Sequence, residues 1–437
     1  MSGFIHSVKV PTQYKRVAAV LKKSLDSNKS LKTLIFEEKH ARTGGMQAVL
    51  KLYIDNRAEI DHAIEQTKIL EENPRLGKEL CIILVTELLL GRKEIKGESK
   101  PVTTVREYKE KLLAALGGEQ GVQNKTKKEI SKPRYVRVNT NVLSMDKAFQ
   151  MLEEEEWIRN DAKFETYPEY LEAICALKEN EYLVDMHVDN LLVFHPSKKR
   201  YWACHNYVYE KKFLLQDKGT CLVAEILRPP PGSTVLDMCA APGMKTIHLS
   251  NVMQNNGKIY SVEQSSERYR TLCEMVEAAK ATIVEPINAD ALRLDGSAYD
   301  AVEYILIDPS CSGSGMQNRL SFGSNEKDPA RLNKLAGLQI KMLSHAMTAF
   351  PNVKRVAYST CSIYEEENEE VVQRCLQLCP QFKLLSGKKA LRNKWIGVGN
   401  PEFKNIGKYC IYSRPKEDYT DGIFMAFFER RRDEDQE

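Results

Sequence analysis

The chain has 437 residues, enough for about three domains at roughly 150 residues each. Its 42% apolar and 28% charged composition is that of a globular protein that can bury a full core without cross-links. The net charge of +4 is unevenly spread: residues 1–134 carry 26 Lys and Arg against 17 Asp and Glu, and the remainder carries 38 against 43. A polyanion would meet the basic first third first, although a solvated helical surface gives the same count.

Eleven cysteines contain no CxxC pair, which argues against zinc ribbons and disulfide frameworks and for free thiols in a reducing compartment. The opening MSGFIHSVKVPTQYKR has no apolar secretory core. The run Leu80 to Leu90 is too short to span a bilayer and contains Glu87. Neither a membrane nor a metal is expected as a partner.

Residues 1 to about 125 predict a helical domain, because VAAVLKKSLDSNKSLKTLIFEE and GKELCIILVTELLLGRK repeat apolar residues at three and four. Gly117-Gly118 and the polar GVQNKTKKEISKP read as a linker ending near Pro133. A small α+β segment is expected over 131–228. It opens on the alternating Tyr135 to Asn139, continues through the helix MDKAFQMLEEEEW, and includes strand-like LLVFHP and YWACHNYVYE. Pro229-Pro230-Pro231-Gly232 marks a break. Over 229–430 strands then alternate with helices: STVLDMC, KIYSVE, TIVEPINAD, VEYILID and VKRVAYSTC each precede a helical or turn segment. That pattern predicts an α/β, Rossmann-like parallel sheet covered on both faces. The terminal ERRRDEDQE reads as a frayed tail.

Ligands of such sheets bind beyond the carboxyl ends of the strands. Here the predicted strands end at Asp237, Glu263, Asp290 and Asp308. One acid at a strand end is usually a helix cap, but four at the spacing of βα units point to a nucleoside cofactor. After the first strand comes Cys239-Ala240-Ala241-Pro242-Gly243-Met244-Lys245-Thr246, whose small residues and glycine allow a tight turn and close approach to a ligand. No GxGxxG is present, and Cys239 and Met244 occupy the glycine positions of a phosphate loop, so dinucleotides and pyrophosphates are disfavoured. S-adenosylmethionine, which has no pyrophosphate, suits the loop.

The fourth strand leads into Asp308-Pro309-Ser310-Cys311-Ser312-Gly313 and the fifth into Ser359-Thr360-Cys361-Ser362. A free cysteine is most often a small buried filler, but these two lie in Ser- and Gly-rich turns at the edge that carries the cofactor loop. Two thiols there suit covalent methylation of cytosine carbon 5. A thiolate adding to carbon 6 makes carbon 5 nucleophilic, and a second group assists elimination. Asp308 can hydrogen-bond the base edge and orient it.

These segments resemble the Nop2/Sun (RsmB-like) family of RNA (cytosine-C5)-methyltransferases over roughly residues 131–430. PRYVRVNT (Pro133 to Thr140) resembles its N-terminal RNA-binding motif, Gln216-Asp217 its QD element, DMCAAPGMKT its cofactor loop and Asp421 to Phe424 its closing DGFF strand. DPSCSGSG, where the family commonly has DAPCSG, is closest to the Rcm1-like large-subunit rRNA branch.

The resemblance implies Cys361 as nucleophile, Cys311 in product release and Asp308 at the base. It implies Cys239, Ala240, Ala241, Pro242, Gly243, Met244, Lys245, Glu263, Arg268, Asp290 and Asp308 around S-adenosylmethionine, and Arg134 and Arg137 on RNA. A monomer acting on large-subunit rRNA or a pre-ribosome, in the nucleus and nucleolus, follows from the same resemblance. A DNA methyltransferase is disfavoured because no Glu-Asn-Val accompanies the cysteines. The same chemistry on tRNA or another RNA, and a silent RNA-binding ribosome-assembly factor, are the competing readings.

Overall fold

The computed structural model describes residues 10–26, 31, 34–35, 43–118, 132–316 and 328–431. They fall into two compact units, one ending at 118 and the other beginning at 132. Residues 1–9, residues 119–131 of the expected linker from Gly117 to Pro133, and the expected tail beyond 431 lie outside the described residues, while Glu429 and Arg430 of that tail close a strand instead of fraying.

The first unit is helical, with α1 (Thr12–Asp26), α2 (Thr43–Asp55), α3 (Arg57–Gln66), α4 (Lys78–Leu89), α5 (Lys100–Glu107) and α6 (Lys109–Ala115). Helix α4 is buried without interruption from Cys81 to Leu89, as a helix apolar on every side must be. Helices α1, α2, α3 and α5 pack against it. Glu87 on α4 is buried with them. Burial raises its carboxyl pKa, against the opposing pull of Arg92 at 3.4 Å. None of the described helices is long and apolar enough to cross a membrane.

The second unit carries two sheets. The first has the order β2-β3-β4-β1-β5, built from β1 (Arg134–Val138), β2 (Ile158–Arg159), β3 (Glu181–Val184), β4 (Leu191–Phe194) and β5 (Phe213–Leu214). Helices α7 (Met145–Glu154) and α8 (Tyr167–Ala176) complete it. Ser144 caps α7, and Thr166 with Glu169 forms a reciprocal capping box on α8.

The segment YWACHNYVYE, expected as a strand, instead forms short helices over Lys199–Ala203 and Asn206–Tyr209. Its aromatic residues invite a strand assignment. Folded as helical turns, however, they put Trp202 into a cluster with Trp157, Phe194 and Phe213, and the His205 imidazole accepts the Tyr207 N–H to start the second turn.

Helix α9 (Lys218–Leu227) follows, capped by Asp217. Its Cys221, Leu222 and Val223 share one core with Tyr135 and Leu183 of the first sheet and with Val235, Leu249 and Ala357 beyond the Pro229–Gly232 break. One apolar core therefore runs across the Pro229–Gly232 break, because prolines mark a chain turn rather than a packing boundary.

The second sheet has the order β11-β13-β10-β9-β6-β7-β8, with β12 on β13. Its strands are β6 (Thr234–Asp237), β7 (Lys258–Val262), β8 (Val284–Ile287), β9 (Tyr304–Ile307), β10 (Arg355–Thr360), β11 (Phe382–Leu385), β12 (Ile411–Ser413) and β13 (Ile423–Arg430). Strands β6 to β10 pair in parallel, and β13 runs antiparallel to β10. Helices α10 (Met244–Val252), α11 (Ser266–Ala278), α12 (Pro329–Thr348) and α13 (Glu369–Leu378) lie between strands in sequence.

Alternate residues feed two cores, as the pleat requires. Leu236, Ile305, Val356 and Phe424 face one, while Val235, Leu306, Ala357 and Met425 face the other. The chain order reverses at β6, which lies between β7 and β9, so the crevice at the carboxyl ends of β6 and β9 is the ligand position of this architecture.

Candidate active site

Asp237 ends β6 and is buried. Its carboxylate accepts from Thr246 Oγ1 at 2.7 Å and from the Cys239 N–H at 3.3 Å. Burial outweighs these bonds and raises its pKa to about 6. The loop from Cys239 to Gly243 then enters α10. Gly243 takes a left-handed φ of 107°, and a Cβ there would meet the Leu272 side chain at 3.1 Å, so both conformation and packing call for glycine. Gly243 offers no side-chain cap to α10. The first-turn amides of Met244 and Lys245 are thus left for another acceptor. Burial raises the Cys239 thiol pKa, which argues against a nucleophilic part for it.

Glu263 follows β7 and is buried. It accepts the Ser265 N–H at 2.9 Å and pairs with Arg268 at 3.1 Å. Arg268 also donates to the Ala241 carbonyl at 2.7 Å, tying the cofactor loop to the second strand end. Asp290 lies beyond β8 rather than closing it. It caps a turn by accepting the Leu292 N–H at 3.0 Å.

Asp308 follows β9, accepts from Ser359 Oγ at 2.8 Å and pairs with Lys245 at 2.5 Å. Burial alone would lower the Lys245 pKa, but the Asp308 carboxylate beside it raises it overall. The Lys245 ammonium also lies within Coulombic reach of the Cys361 sulfur.

Two turns bring the thiols together. Cys311 Sγ lies 3.0 Å from Cys361 Sγ, and the Cys361 N–H donates to Cys311 Sγ at 3.4 Å. Both thiols are partly exposed and neither is in a disulfide. The Cys361 sulfur as hydrogen-bond partner, followed by burial, holds the Cys311 thiol pKa well above its usual range. The turns are tied to each other by the Gly315 N–H, which donates to the Cys361 carbonyl at 2.9 Å, and by Ser312 Oγ on Ser362 Oγ at 3.0 Å. Gly422 of the tail segment lies against Gly315 so closely that a Cβ on Gly315 would fall 2.2 Å from the Gly422 carbonyl oxygen.

A family model described as 16S rRNA methyltransferase RsmB/F matches residues 224–429. The ferredoxin-like and N-terminal domains of NOL1/NOP2/Sun domain family member 5 match residues 132–209 and 54–131. A 28S rRNA (cytosine-C(5))-methyltransferase of Drosophila melanogaster is 56% identical over 434 residues, covering 99% of each chain. This chain belongs to the Nop2/Sun RNA (cytosine-C5)-methyltransferases, in the NSUN5/Rcm1-type branch. A 28S rRNA (cytosine-C(5))-methyltransferase of Mus musculus is 33% identical, covering 95% of this chain and 90% of its own. A solved methyltransferase homolog from Pyrococcus horikoshii, 22% identical with a TM-score of 0.53 over 80% of this chain and 99% of its own, shares the fold.

This Nop2/Sun chain departs from expectation at Arg137. That side chain is fully buried, donating to Gln216 Oε1 at 2.7 Å, to Asn251 Oδ1 and to the Met244 carbonyl at 3.4 Å. Burial lowers its pKa to about 10. It joins the first sheet to the cofactor helix and has no face for a phosphate. Its strand position could not reveal this, because all three acceptors are distant in sequence.

Arg134 stays partly exposed. Asp217 of the QD element caps α9, pairs with Lys132 at 2.8 Å and accepts the Asp421 N–H at 3.0 Å, so the motif joins three segments. Sequence reading missed Gln339 and Glu367, which hold the Cys311 turn. Among the described residues no group of three or more His, Cys, Asp or Glu could hold a metal ion.

Proposed function

We propose that this chain is an S-adenosylmethionine-dependent RNA (cytosine-C5)-methyltransferase of large-subunit rRNA, working through a covalent adduct between Cys361 and cytosine carbon 6. The observation that carries the reading is the 3.0 Å approach of Cys311 to Cys361 beside the Lys245–Asp308 pair.

The residues present fit the cofactor. The uncapped N-terminus of α10 suits a carboxylate, the Glu263 carboxylate suits ribose hydroxyls, and the buried Asp237 suits an ammonium. Asp290, Arg268 and the loop from Cys239 to Lys245 complete that cradle. When bound, S-adenosylmethionine supplies an electrophilic methyl group.

Cys361 attacks as its thiolate, with the Lys245 ammonium within Coulombic reach of the sulfur. That sulfur bonds to carbon 6, which moves the ring's double-bond pair to carbon 5, while Asp308 holds the base edge. After carbon 5 is methylated, its proton passes to solvent, the double bond re-forms and the carbon–sulfur bond breaks. Cys311, kept protonated beside the Cys361 sulfur, stabilises the departing thiolate by hydrogen bonding. Arg134 contacts the RNA backbone. The chain acts as a monomer in the nucleolus, on rRNA of the assembling large subunit.

The test is single-turnover methylation of large-subunit rRNA fragments with a denaturing gel for adduct. Cys361→Ala should abolish methylation with its melting temperature unchanged. Cys311→Ala should accumulate a denaturant-resistant RNA adduct that disappears in the double variant. Undiminished turnover by Cys361→Ala, or an adduct that survives double replacement, would refute the assignment. Bisulfite sequencing of rRNA from cells lacking the protein identifies the target. A catalytically silent assembly factor would leave every rRNA cytosine unchanged.

A further inference from the structure

The two catalytic turns come from strands β9 and β10, yet their sulfurs meet at 3.0 Å, a spacing that neither turn sets alone. Behind them lie Glu367 and Asn368, adjacent in sequence, fully buried, and placed between β10 and α13. Glu367 Oε1 accepts the Ser312 N–H at 2.9 Å and Gln339 Nε2 at 3.0 Å. Gln339, on α12, also donates to the Ser310 carbonyl at 3.0 Å. The residues on both sides of Cys311 are therefore held by one carboxylate and one amide.

Asn368 does the same for Cys361. Its Oδ1 accepts from Thr360 Oγ1 at 2.5 Å and its Nδ2 donates to the Ser362 carbonyl at 3.0 Å. The Tyr412 hydroxyl, itself a partner of Asn368, donates to the same carbonyl at 2.8 Å.

We infer that the dipeptide Glu367–Asn368 is a positioning clamp that sets the two thiols against each other, Glu367 through the Cys311 turn and Asn368 through the Cys361 turn. The inference rests on the roles assigned above to the two cysteines. Neither side chain contacts a sulfur in any hydrogen bond described above, so both act through the turns.

The chemistry of Glu367 supports this role. Among the described residues no cation lies within ion-pair distance of it, and a buried carboxylate without one is costly. A neutral side chain would fill the space at less cost. What the carboxylate adds is a charge-assisted hold on the Ser312 N–H, stronger than a neutral acceptor gives. The Glu367 carbonyl accepts the Tyr358 hydroxyl at 2.6 Å, which anchors the dipeptide to β10 itself. Successive Cα atoms are held about 3.8 Å apart by a planar peptide. The two turns are thus held to one short rigid spacer.

The experiment measures adduct formation, adduct release, cofactor affinity and melting temperature in single-turnover reactions of the full chain on rRNA fragments. Cys311→Ala and Cys361→Ala serve as references. Glu367→Ala should follow Cys311→Ala, forming adduct but releasing it about tenfold more slowly, as expected for a displacement below 1 Å. Glu367→Gln, which keeps an oxygen for Ser312 but loses the charge, should restore part of the release rate, placing it between Glu367→Ala and the wild type. Asn368→Ala should follow Cys361→Ala, forming adduct at least about tenfold more slowly with cofactor affinity unchanged. If Glu367→Ala does not fold, Gln339→Met removes the Ser310 half of the same hold and should slow release alone.

Release by Glu367→Ala at the wild-type rate, failure of the Gln variant to rescue, or parallel loss of adduct formation and cofactor affinity in both variants would overturn the clamp. Should Cys311→Ala itself trap nothing, the reading of the cysteines fails. The clamp is then judged by whether Glu367→Ala still matches Cys311→Ala in every rate: a match supports it and a mismatch rejects it.

Discussion

Arg137 illustrates how one residue's burial changes its meaning. Its guanidinium spans Gln216 ahead of α9 and, on α10, Asn251 and the Met244 carbonyl, three acceptors that a lysine cannot reach together. Arg137→Lys should therefore cost about 3 kcal/mol, the scale for breaking a buried charged network. At roughly 2–4 °C per kcal/mol for a unit of this size, the melting temperature should fall by about 6–12 °C. The salt slope of RNA binding should stay where it is, since no phosphate contact is lost. A variant with wild-type stability and a shallower slope would return Arg137 to the RNA interface. Arg134, in the same strand, stays partly exposed and makes none of these three bonds.

Helix α9 shows the same logic for an element. Lys218 at its start is fully buried, paired with Asp185 at 2.7 Å and lying over the Tyr170 ring at 4.2 Å. His187 packs against Tyr167 and Trp395 in the same cluster. Burial first, and the Lys218 cation second, pull its pKa down to about 3 from an ordinary 6.5. Between those values the unfolded chain takes up a proton that the folded one refuses. Stability from this group is therefore complete above about pH 6.5 and falls as pH drops, by about 2 kcal/mol at pH 5. His187→Phe should lose less stability than wild type between pH 7 and pH 5, by about that amount. Parallel pH profiles would mean that the imidazole is not held neutral. Asp237, raised to about 6, acts in the opposite direction but is common to both proteins and cancels in the comparison.

The positions of Asp237, Glu263 and Asp308 at strand ends, of the loop from Cys239 to Lys245 and of the two cysteines were legible because each lies in a local pattern of a few residues. The Glu367–Asn368 pair was not. Within EEENEE it reads as the solvated start of a helix, and its partners lie 28 residues away at Gln339 and 55 at Ser312. YWACHNYVYE misled for a related reason, since aromatic content signals burial without stating the period that achieves it.

At the scale of the whole molecule, the basic excess and the catalytic chemistry belong to different parts of the chain. The first unit's core draws only on residues 14–116, so removing it takes no described core residue from the second unit. Of the excess of nine positive charges over residues 1–134, from 26 minus 17, Lys132 and Arg134 lie in the second unit, so seven are available for phosphates if the first unit grips RNA. Each phosphate neutralised on a single strand steepens the dependence of log K on log salt by roughly 0.7. Deleting residues 1–125 should then weaken binding of rRNA fragments and flatten that slope by about 2 if three contacts are lost. Cofactor affinity should not change, because the loop from Cys239 to Lys245, Glu263 and Arg268 all lie in the second unit. The competing arrangement gives all the gripping to Arg134 and the first sheet. Under it the truncated chain would keep the full-length slope, and the basic helices would be left to dock on a protein of the assembling ribosome. Filter binding across a salt series with both chains separates the two, since affinity at a single salt concentration can fall for either reason while the slope counts phosphate contacts.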